Sequence, residues 1–239
     1  MALFPEYATF LKMFQDKGYR IKALHAGDLA PQGDLYLRHD IDFDCELALD
    51  SAKIEADLGA TSTYFFMLSS DSYNPLSAEN SRRIKEIRDL GHKISVHFDA
   101  LCHEDFHAGL TSEVKTFEDF FDTKVDLVSL HRPNDFFLSH DAEIAGISHT
   151  YQSKYLKDIK YVADSQGRFR FGDPQDTDAF KDGASIHLLI HPVWWTTPGD
   201  TPQAVLDAYT KMRIGRFQDN IEANCKTYKR SDSVVSTEL

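Results

Sequence analysis

The chain has 239 residues, 42% of them hydrophobic, which is enough to bury one substantial core, and chains of this length often form a single α/β barrel. Its net charge of −12 at pH 7 repels phosphate backbones and anionic lipid surfaces, so neither a nucleic-acid nor a membrane-surface partner is expected. The three cysteines, Cys45, Cys102 and Cys225, form no close pair, which argues against a disulfide framework and favours reduced thiols in the cytoplasm.

The first residues predict a packing helix rather than an export signal. Tyr7, Phe10, Leu11 and Phe14 share one helical face, and no basic residue leads the apolar run. No uncharged run reaches the roughly 20 residues that a membrane span needs. We therefore expect a single cytoplasmic domain over residues 1–230, followed by a polar tail over 231–239 whose composition is typical of disorder.

Strand-like and helix-like segments then alternate along the chain, which predicts βα units and a parallel sheet or barrel. The strand candidates cover residues 35–40, 61–68, 92–98, 125–131, 160–165 and 185–191. Between and after them, the apolar spacing predicts a helix that stops at Gly59, one capped by Ser77, one that opens at Thr111 or Ser112, and a long one from Pro202. Residues 132–159 have no stable period and are expected to form an excursion over one end of the barrel.

Polar side chains collect at the predicted carboxyl ends of these strands. In parallel barrels those ends form the active-site face, so residues from unlinked segments are expected to converge there: Asp40, Asp42, His97, His131, Asp164 and His191. Positions two apart on an extended chain share a face, so Asp40 and Asp42 can divide proton transfer and metal binding between them. An isolated DxD is equally typical of solvated carboxylates or of a helix cap.

The histidines and the arginine differ in where they stand on their strands. His97 ends its strand, whereas His92 begins it at the opposite end of the barrel, so only His97 can join the aspartates. Arg132 follows His131 in SLHRPN, where its guanidinium can hold a catalytic carboxylate bidentately. A surface arginine before a turn-forming proline is the simpler interpretation of that segment taken alone.

The last strand candidate carries a further polar end. In SIHLLIHP the final histidine, His191, emerges as the strand stops, which suits a general acid. Trp194 and Trp195 follow at once and offer either plain packing or a stacking wall for a sugar ring.

Five segments between Leu35 and Trp195 resemble, in order, the motifs of the polysaccharide deacetylase family, the NodB-like family 4 carbohydrate esterases. RHDID resembles the first motif, which pairs a catalytic base with a metal ligand, and GHKISVH resembles the second, with His97 at the metal-binding histidine. HRP is similar to the arginine motif that positions the base, which would be Arg132. YVADSQGRF and LLIH resemble the remaining motifs, which places Asp164 at a structural acid, Phe169 at an aromatic that closes the groove, and His191 at the catalytic acid.

Two departures from the family pattern leave alternatives open. Ile41 separates the aspartates, which are adjacent in the family, so the resemblance makes Asp40 the base and Asp42 the ligand but also permits the exchange. The family's second metal histidine falls on Leu101 here, so His131 or His103 must replace it. His131 is preferred because it ends a strand and can point into the barrel mouth.

The resemblance implies an irregular (β/α) barrel of about seven strands that removes an N-acetyl or other small acyl group from an amino sugar. One divalent ion, with zinc as the first choice, would be held by Asp42, His97 and His131. Arg132 would keep Asp40 ionised, and Asp164 would orient His191. The expected substrate is a small-molecule or lipid-linked precursor of a surface glycan, bound by Trp194, Trp195, Arg168 and Phe169. A non-catalytic carbohydrate-binding barrel and a metal-dependent amidohydrolase on a non-sugar amide remain the alternatives.

Overall fold

A computed structural model describes residues 2–170 and 172–230, and within them shows one sheet of eight strands whose named pairings are all parallel. The predicted tail over 231–239 lies outside the described residues. The strands are β1 (Arg20–Ala23), β2 (Asp34–Ile41), β3 (Thr63–Phe66), β4 (Lys93–Phe98), β5 (Leu127–Leu130), β6 (Ser148–His149), β7 (Lys160–Ala163) and β8 (Ile186–Ile190).

The sheet curls into a barrel with one gap. Strands β2 to β6 lie side by side in chain order, and β8 pairs with the free side of β2 and with β7. Strands β6 and β7 end this path, and no pairing joins them among the described residues, so the barrel is open between them. Strand β1 pairs with the first half of β2, below the point where β3 begins to pair. The predicted irregular (β/α) barrel of about seven strands is confirmed.

Helices connect the strands over most of the chain. They are α1 (Tyr7–Asp16), α2 (Cys45–Asp57), α3 (Ala78–Asp89), α4 (Phe106–Phe121), α5 (Asp135–Ser139), α6 (Ser153–Leu156), α7 (Asp178–Asp182), α8 (Val193–Thr196) and α9 (Pro202–Asn224). Helix α1 buries its predicted apolar face, Ser77 caps α3, and Gly59 follows α2 with a φ of 67°. Over the described ranges, no helix combines the length and the apolarity that crossing a bilayer requires.

The structure corrects several boundaries. Helix α4 begins at Phe106 rather than at Thr111 or Ser112, because the Asp105 carboxylate accepts hydrogen bonds from the backbone N–H groups of His107 and Ala108 and so caps an earlier turn. Strands β1 and β6 were not predicted, since β6 has only two residues and β1, RIKA, contains a single β-branched residue and no aromatic one. The excursion over residues 132–159 contains α5, β6 and α6.

Alternation along the strands divides the barrel into two environments. Leu35, Leu37, Ile186 and Leu188 pack against the apolar face of α1 outside the sheet. Tyr36, Phe65 and Leu127 belong to a separate buried cluster inside the barrel, together with Leu24 and Tyr155. On β2 the next residues with the same orientation as Tyr36 are Arg38 and Asp40, so polar side chains follow above this apolar floor.

Candidate active site

Three side chains converge at the carboxyl ends of β2, β4 and β5. Asp42 Oδ1 lies 3.2 Å from His97 Nε2 and 3.6 Å from His131 Nδ1, and the two imidazole nitrogens lie 3.2 Å apart. Asp42 follows the end of β2, His97 lies near the end of β4, and His131 comes directly after β5. Because neighbouring parallel strands end at one edge of the sheet, three separate segments deliver their side chains to the same place.

These three residues fit a divalent metal ion. One donor atom from each lies within 4.8 Å of the others, and a carboxylate with two imidazoles is a donor set that zinc accepts. Asp42 Oδ1 is buried and has no hydrogen bond of acceptable geometry among the described residues. A buried carboxylate oxygen without a donor fits a metal ligand. Burial raises the pKa of Asp42, but His131 and His97 outweigh it and hold that pKa well below its usual range.

His103, the alternative third ligand, points elsewhere. Its Nε2 lies 2.8 Å from Glu113 Oε1 on α4, and its ring stacks on Phe98 at a centroid distance of 5.3 Å. Leu101, at the position of the family's second histidine, is 73% exposed. The structure therefore brings His131, and not His103, together with Asp42 and His97.

Asp40 lies beside this cluster and is held on one side only. Its Oδ2 accepts hydrogen bonds from Arg38 Nη2 at 3.1 Å and from the Ser129 hydroxyl at 2.9 Å. Its Oδ1 is buried without a partner among the described residues, and Asp40 lines the cavity above the barrel. Burial raises the pKa of Asp40, but Arg38 and His97 outweigh it and lower that pKa below its ordinary value. The carboxylate is therefore ionised and has one oxygen available.

The arginine that holds Asp40 is Arg38, and the prediction of Arg132 is corrected. Arg38 is fully buried inside the barrel, two residues before Asp40 on the same face of β2. Arg132 is exposed at the cavity mouth, with a backbone φ of 46°. Strand β5 ends at Leu130, and the left-handed backbone at Arg132 interrupts the extended alternation, so Arg132 does not share the inward direction that His131 takes.

His191 and Asp164 form a tight pair on the opposite wall. Asp164, fully buried after β7, accepts hydrogen bonds from the His191 backbone N–H at 3.1 and 3.0 Å and lies 2.6 Å from His191 Nδ1. The other ring nitrogen, Nε2, lies 4.0 Å from Asp42 Oδ2. Burial lowers the pKa of His191, but the charge of Asp164 outweighs it and raises that pKa to about 9. The contact with Asp164 thus favours the protonated imidazole, whereas the surroundings of Asp40 favour its ionised form.

Above these groups lies a cavity of about 510 Å³. Its aromatic lining consists of Phe43, Tyr151, Tyr161 and Trp194, and its polar lining includes Ser69, Asp71, Asp99 and Gln166. An aromatic wall with scattered hydrogen-bonding groups suits a ring that has apolar faces and polar edges.

Only one of the predicted substrate contacts lines this cavity. Trp194 does so, but Trp195 stacks on Phe4 at 4.5 Å and donates its indole N–H to Asp164 Oδ2 at 2.8 Å. Phe169 packs against Phe4 at 5.3 Å, in the layer between α1 and the sheet. Arg168 is exposed and is not among the lining residues. The substrate roles predicted for Trp195, Phe169 and Arg168 are therefore corrected: Trp195 positions Asp164 and Phe169 packs in the core.

A buried polar network supports β2 from the other side. The Glu55 carboxylate on α2 accepts hydrogen bonds from the hydroxyls of Tyr7 and Ser62, both at 2.5 Å, and lies 2.6 Å from His39 Nε2. His92 joins through Ser62, at 3.1 Å. Burial raises the pKa of Glu55, but His39 outweighs it and keeps that pKa below its usual value. The network ties α1 and α2 to the strand that carries Asp40.

Sequence reasoning missed Arg38, Ser129, Tyr151 and Tyr161. Arg38 carried a usable signal, since it stands two residues before Asp40 in RHDID and must share its face. Ser129 likewise stands two residues before His131. Tyr151 comes from the aperiodic excursion, where no pattern indicates the direction of a side chain.

No family model matches this chain, and no curated protein does. Among solved structures, a family 4 carbohydrate esterase from Bacillus anthracis is 16% identical, with 85% of this chain and 86% of that chain covered and a TM-score of 0.43. A peptidoglycan deacetylase from Bdellovibrio bacteriovorus is 15% identical, with 82% of this chain and 53% of that chain covered and a TM-score of 0.45. Both names are of the class that the sequence motifs resemble. At such low identity and TM-score, no residue role can be transferred from these structures to this chain. The role of each residue is therefore argued from its contacts in this structure.

Proposed function

We propose that the chain is a metal-dependent hydrolase that removes an N-acetyl or other small acyl group from an amino sugar. The observation that carries this proposal is the convergence of three groups on one cavity: a ligand cluster, a carboxylate with one unpartnered oxygen, and a histidine paired with a buried aspartate. Amide hydrolysis needs such groups to activate water, to stabilise the developing charge and to protonate the leaving amine. The five sequence segments that resemble deacetylase motifs support the same reaction.

Asp42, His97 and His131 would hold the ion, which we propose to be zinc because two imidazoles and one carboxylate suit it. When bound, such an ion supplies Lewis acidity toward the acyl carbonyl and favours deprotonation of water. The histidine ligands leave from β4 and β5 of the rigid sheet, so the site needs little rearrangement to close around a cation.

Asp40 is the proposed general base. Arg38 and Ser129 hold Oδ2, so Oδ1 remains free on the cavity side to accept the proton of the attacking water. Asp42 is the proposed ligand because it, and not Asp40, lies in contact with both imidazoles. These contacts support the proposed division of the two roles, which the sequence left exchangeable.

His191 is the proposed general acid. Its contact with Asp164 keeps a proton on Nδ1 and stabilises the charged ring, so Nε2 can donate a proton to the leaving nitrogen. The Trp195 indole N–H adds a third donor to Asp164, after the backbone N–H and Nδ1 of His191, and fixes its orientation. His191 and Asp40 therefore begin in opposite protonation states, as the reaction requires.

A sugar is the proposed substrate because aromatic and polar residues share the cavity wall. Trp194 and Phe43 can cover the apolar face of a pyranose ring, and Asp71 and Gln166 can bind its hydroxyls. The three cysteines are free thiols, which suits a reducing compartment, and we propose that the protein acts in the cytoplasm on a glycan precursor.

The test combines metal analysis with acetate release from N-acetylated amino sugars. The purified protein should bind close to one divalent ion, release acetate, and lose activity when a chelator removes that ion. Asp40→Asn should keep the metal and lower kcat by roughly 100-fold or more, the scale of a lost general base. Asp34→Asn is the matched control, since Asp34 is a buried, ion-paired carboxylate at the opposite end of the same strand.

Each alternative function has its own outcome. Sugar binding without bound metal or acetate release would identify a carbohydrate-binding barrel. Turnover of simple acetamides at rates equal to those of the sugars would identify a general amidohydrolase. A metal-free Asp40→Asn protein would exchange the roles of Asp40 and Asp42.

A further inference from the structure

An exposed apolar patch lies beside the cavity and is not explained by the chemistry above. We define it as the exposed Leu101, Phe136 and Leu138 together with Phe106, which is partly buried and packs against the core. Leu101 is 73% exposed, Phe136 50% and Leu138 48%, although large apolar side chains are usually buried. Phe106 connects to Phe136 at a ring-centroid distance of 6.0 Å. Apolar residues clustered at a cavity mouth are typical of a binding surface.

The patch lies on the two loops that border the cavity. Leu101 stands between Asp99 and Cys102, both of which line the cavity. After the neighbouring strand β5, Arg132 lines the cavity three residues before α5 begins with Asp135. The backbone N–H of His131 donates to Phe98 O at 2.8 Å, so the loops after β4 and β5 begin side by side at the same edge of the sheet.

We propose that this patch binds an uncharged apolar chain attached to the sugar whose acyl group the site removes. The inference rests on the proposed function and narrows its substrate to an amino sugar with an alkyl or acyl tail. A sugar seated against the cavity wall would place such a tail on Leu101 and Phe136. Each buried methylene then adds to affinity without any further polar contact.

The charges around the patch favour this occupant over two others. Glu104, Asp105 and Asp135 are exposed on the same loops. They repel an anionic lipid surface, and they repel a second copy of this chain, whose net charge is also −12. An uncharged hydrocarbon chain meets no such repulsion.

The test compares the octyl and the methyl glycoside of N-acetylglucosamine, which share the reacting group and differ in the chain. Binding is measured by calorimetry on metal-loaded Asp40→Asn protein, below the concentration at which the octyl compound forms micelles. The Kd of the octyl glycoside should be lower by roughly tenfold or more, the factor that burial of two methylenes provides.

Variants locate the effect on the patch. Leu101→Ser and Phe136→Ser should each raise the Kd of the octyl glycoside toward that of the methyl glycoside. The Kd of the methyl glycoside itself should not change. Leu90→Ser and Phe120→Ser are the controls, because these apolar side chains are also exposed, at 37% and 40%, and lie at the C-terminal ends of α3 and α4, outside the cavity lining. The controls should keep the full preference for the octyl compound.

Several results would overturn the inference. Equal or undetectable binding of the two glycosides would do so, as would a preference that survives both patch substitutions. A dimer in sedimentation experiments that Leu101→Ser dissociates would assign the patch to self-association. Loss of acetate release from every sugar, with the octyl preference and its dependence on the patch retained, would instead refute the proposed hydrolase and leave the binding site standing.

Discussion

The buried ion pair between Arg38 and Asp40 predicts that Arg38→Met destabilises the fold strongly, whereas Arg132→Met does not. Opposite charges 3.1 Å apart attract by about 5 kcal/mol at an effective dielectric constant of about 20. Without the guanidinium, the buried carboxylate of Asp40 keeps only the Ser129 hydroxyl, and breaking one side of such a pair costs about 3–5 kcal/mol. Arg132 is exposed, so its removal should change the free energy of unfolding by less than about 0.5 kcal/mol.

The assay is urea denaturation of the metal-free protein, followed by circular dichroism. The predicted loss for Arg38→Met is a large part of the roughly 5–15 kcal/mol that stabilises a domain, so two further variants cover the case in which it fails to fold. Arg38→Lys keeps the positive charge and should lose less. The double variant Arg38→Met/Asp40→Asn removes both charges and should recover part of the loss.

Two results would refute this account of the site. A loss below about 1 kcal/mol for Arg38→Met is the scale of a surface pair and would contradict burial of the contact. Losses that simply add in the double variant would show that Arg38 and Asp40 are not coupled. A greater effect of Arg132→Met than of Arg38→Met would restore the sequence-based assignment.

Three further outcomes are expected. His97→Ala should lose most of its bound metal with the fold retained, and His103→Ala should keep it, as measured by metal content after dialysis; the reverse pattern would move the ligand set. The pKa of Glu55 is lower in the folded state than in the unfolded chain, so the ionised carboxylate stabilises the fold. This contribution is complete above the unfolded pKa of about 4.3 and is lost as pH falls through the folded-state pKa. Glu55→Gln should therefore lose less free energy of unfolding than the unaltered protein between about pH 7 and about pH 3, and equal losses would contradict the network. Phe169→Ala should lower the free energy of unfolding by about 2–3 kcal/mol without changing KM, whereas Trp194→Ala should raise KM; a raised KM in the Phe169 variant would return Phe169 to the substrate groove.

The barrel was predictable because its determinants are local. The predicted strands carry runs of apolar residues, many of them β-branched or aromatic, Ser77 and Gly59 mark helix ends, and the apolar face of α1 repeats at helical spacing. The convergence of Asp42, His97 and His131 followed from one rule, that parallel strands of a barrel end at one face. Strands β1 and β6 were missed because RIKA and SH contain no run of β-branched or aromatic residues, and they become strands by pairing with β2 and β5.

The sequence by itself determined the order of strands and helices, the end of the barrel at which the chemistry collects, and the polar residues available there. Only the tertiary structure decided which of them touch. Arg132 stands beside His131 in the chain, yet Arg38 from another strand holds Asp40, because contact inside a barrel depends on the direction of each side chain and not on sequence distance. Likewise Trp194 meets the cavity and Trp195 meets α1, since adjacent residues of one short helix leave it in different directions and the layers around it decide what each one contacts.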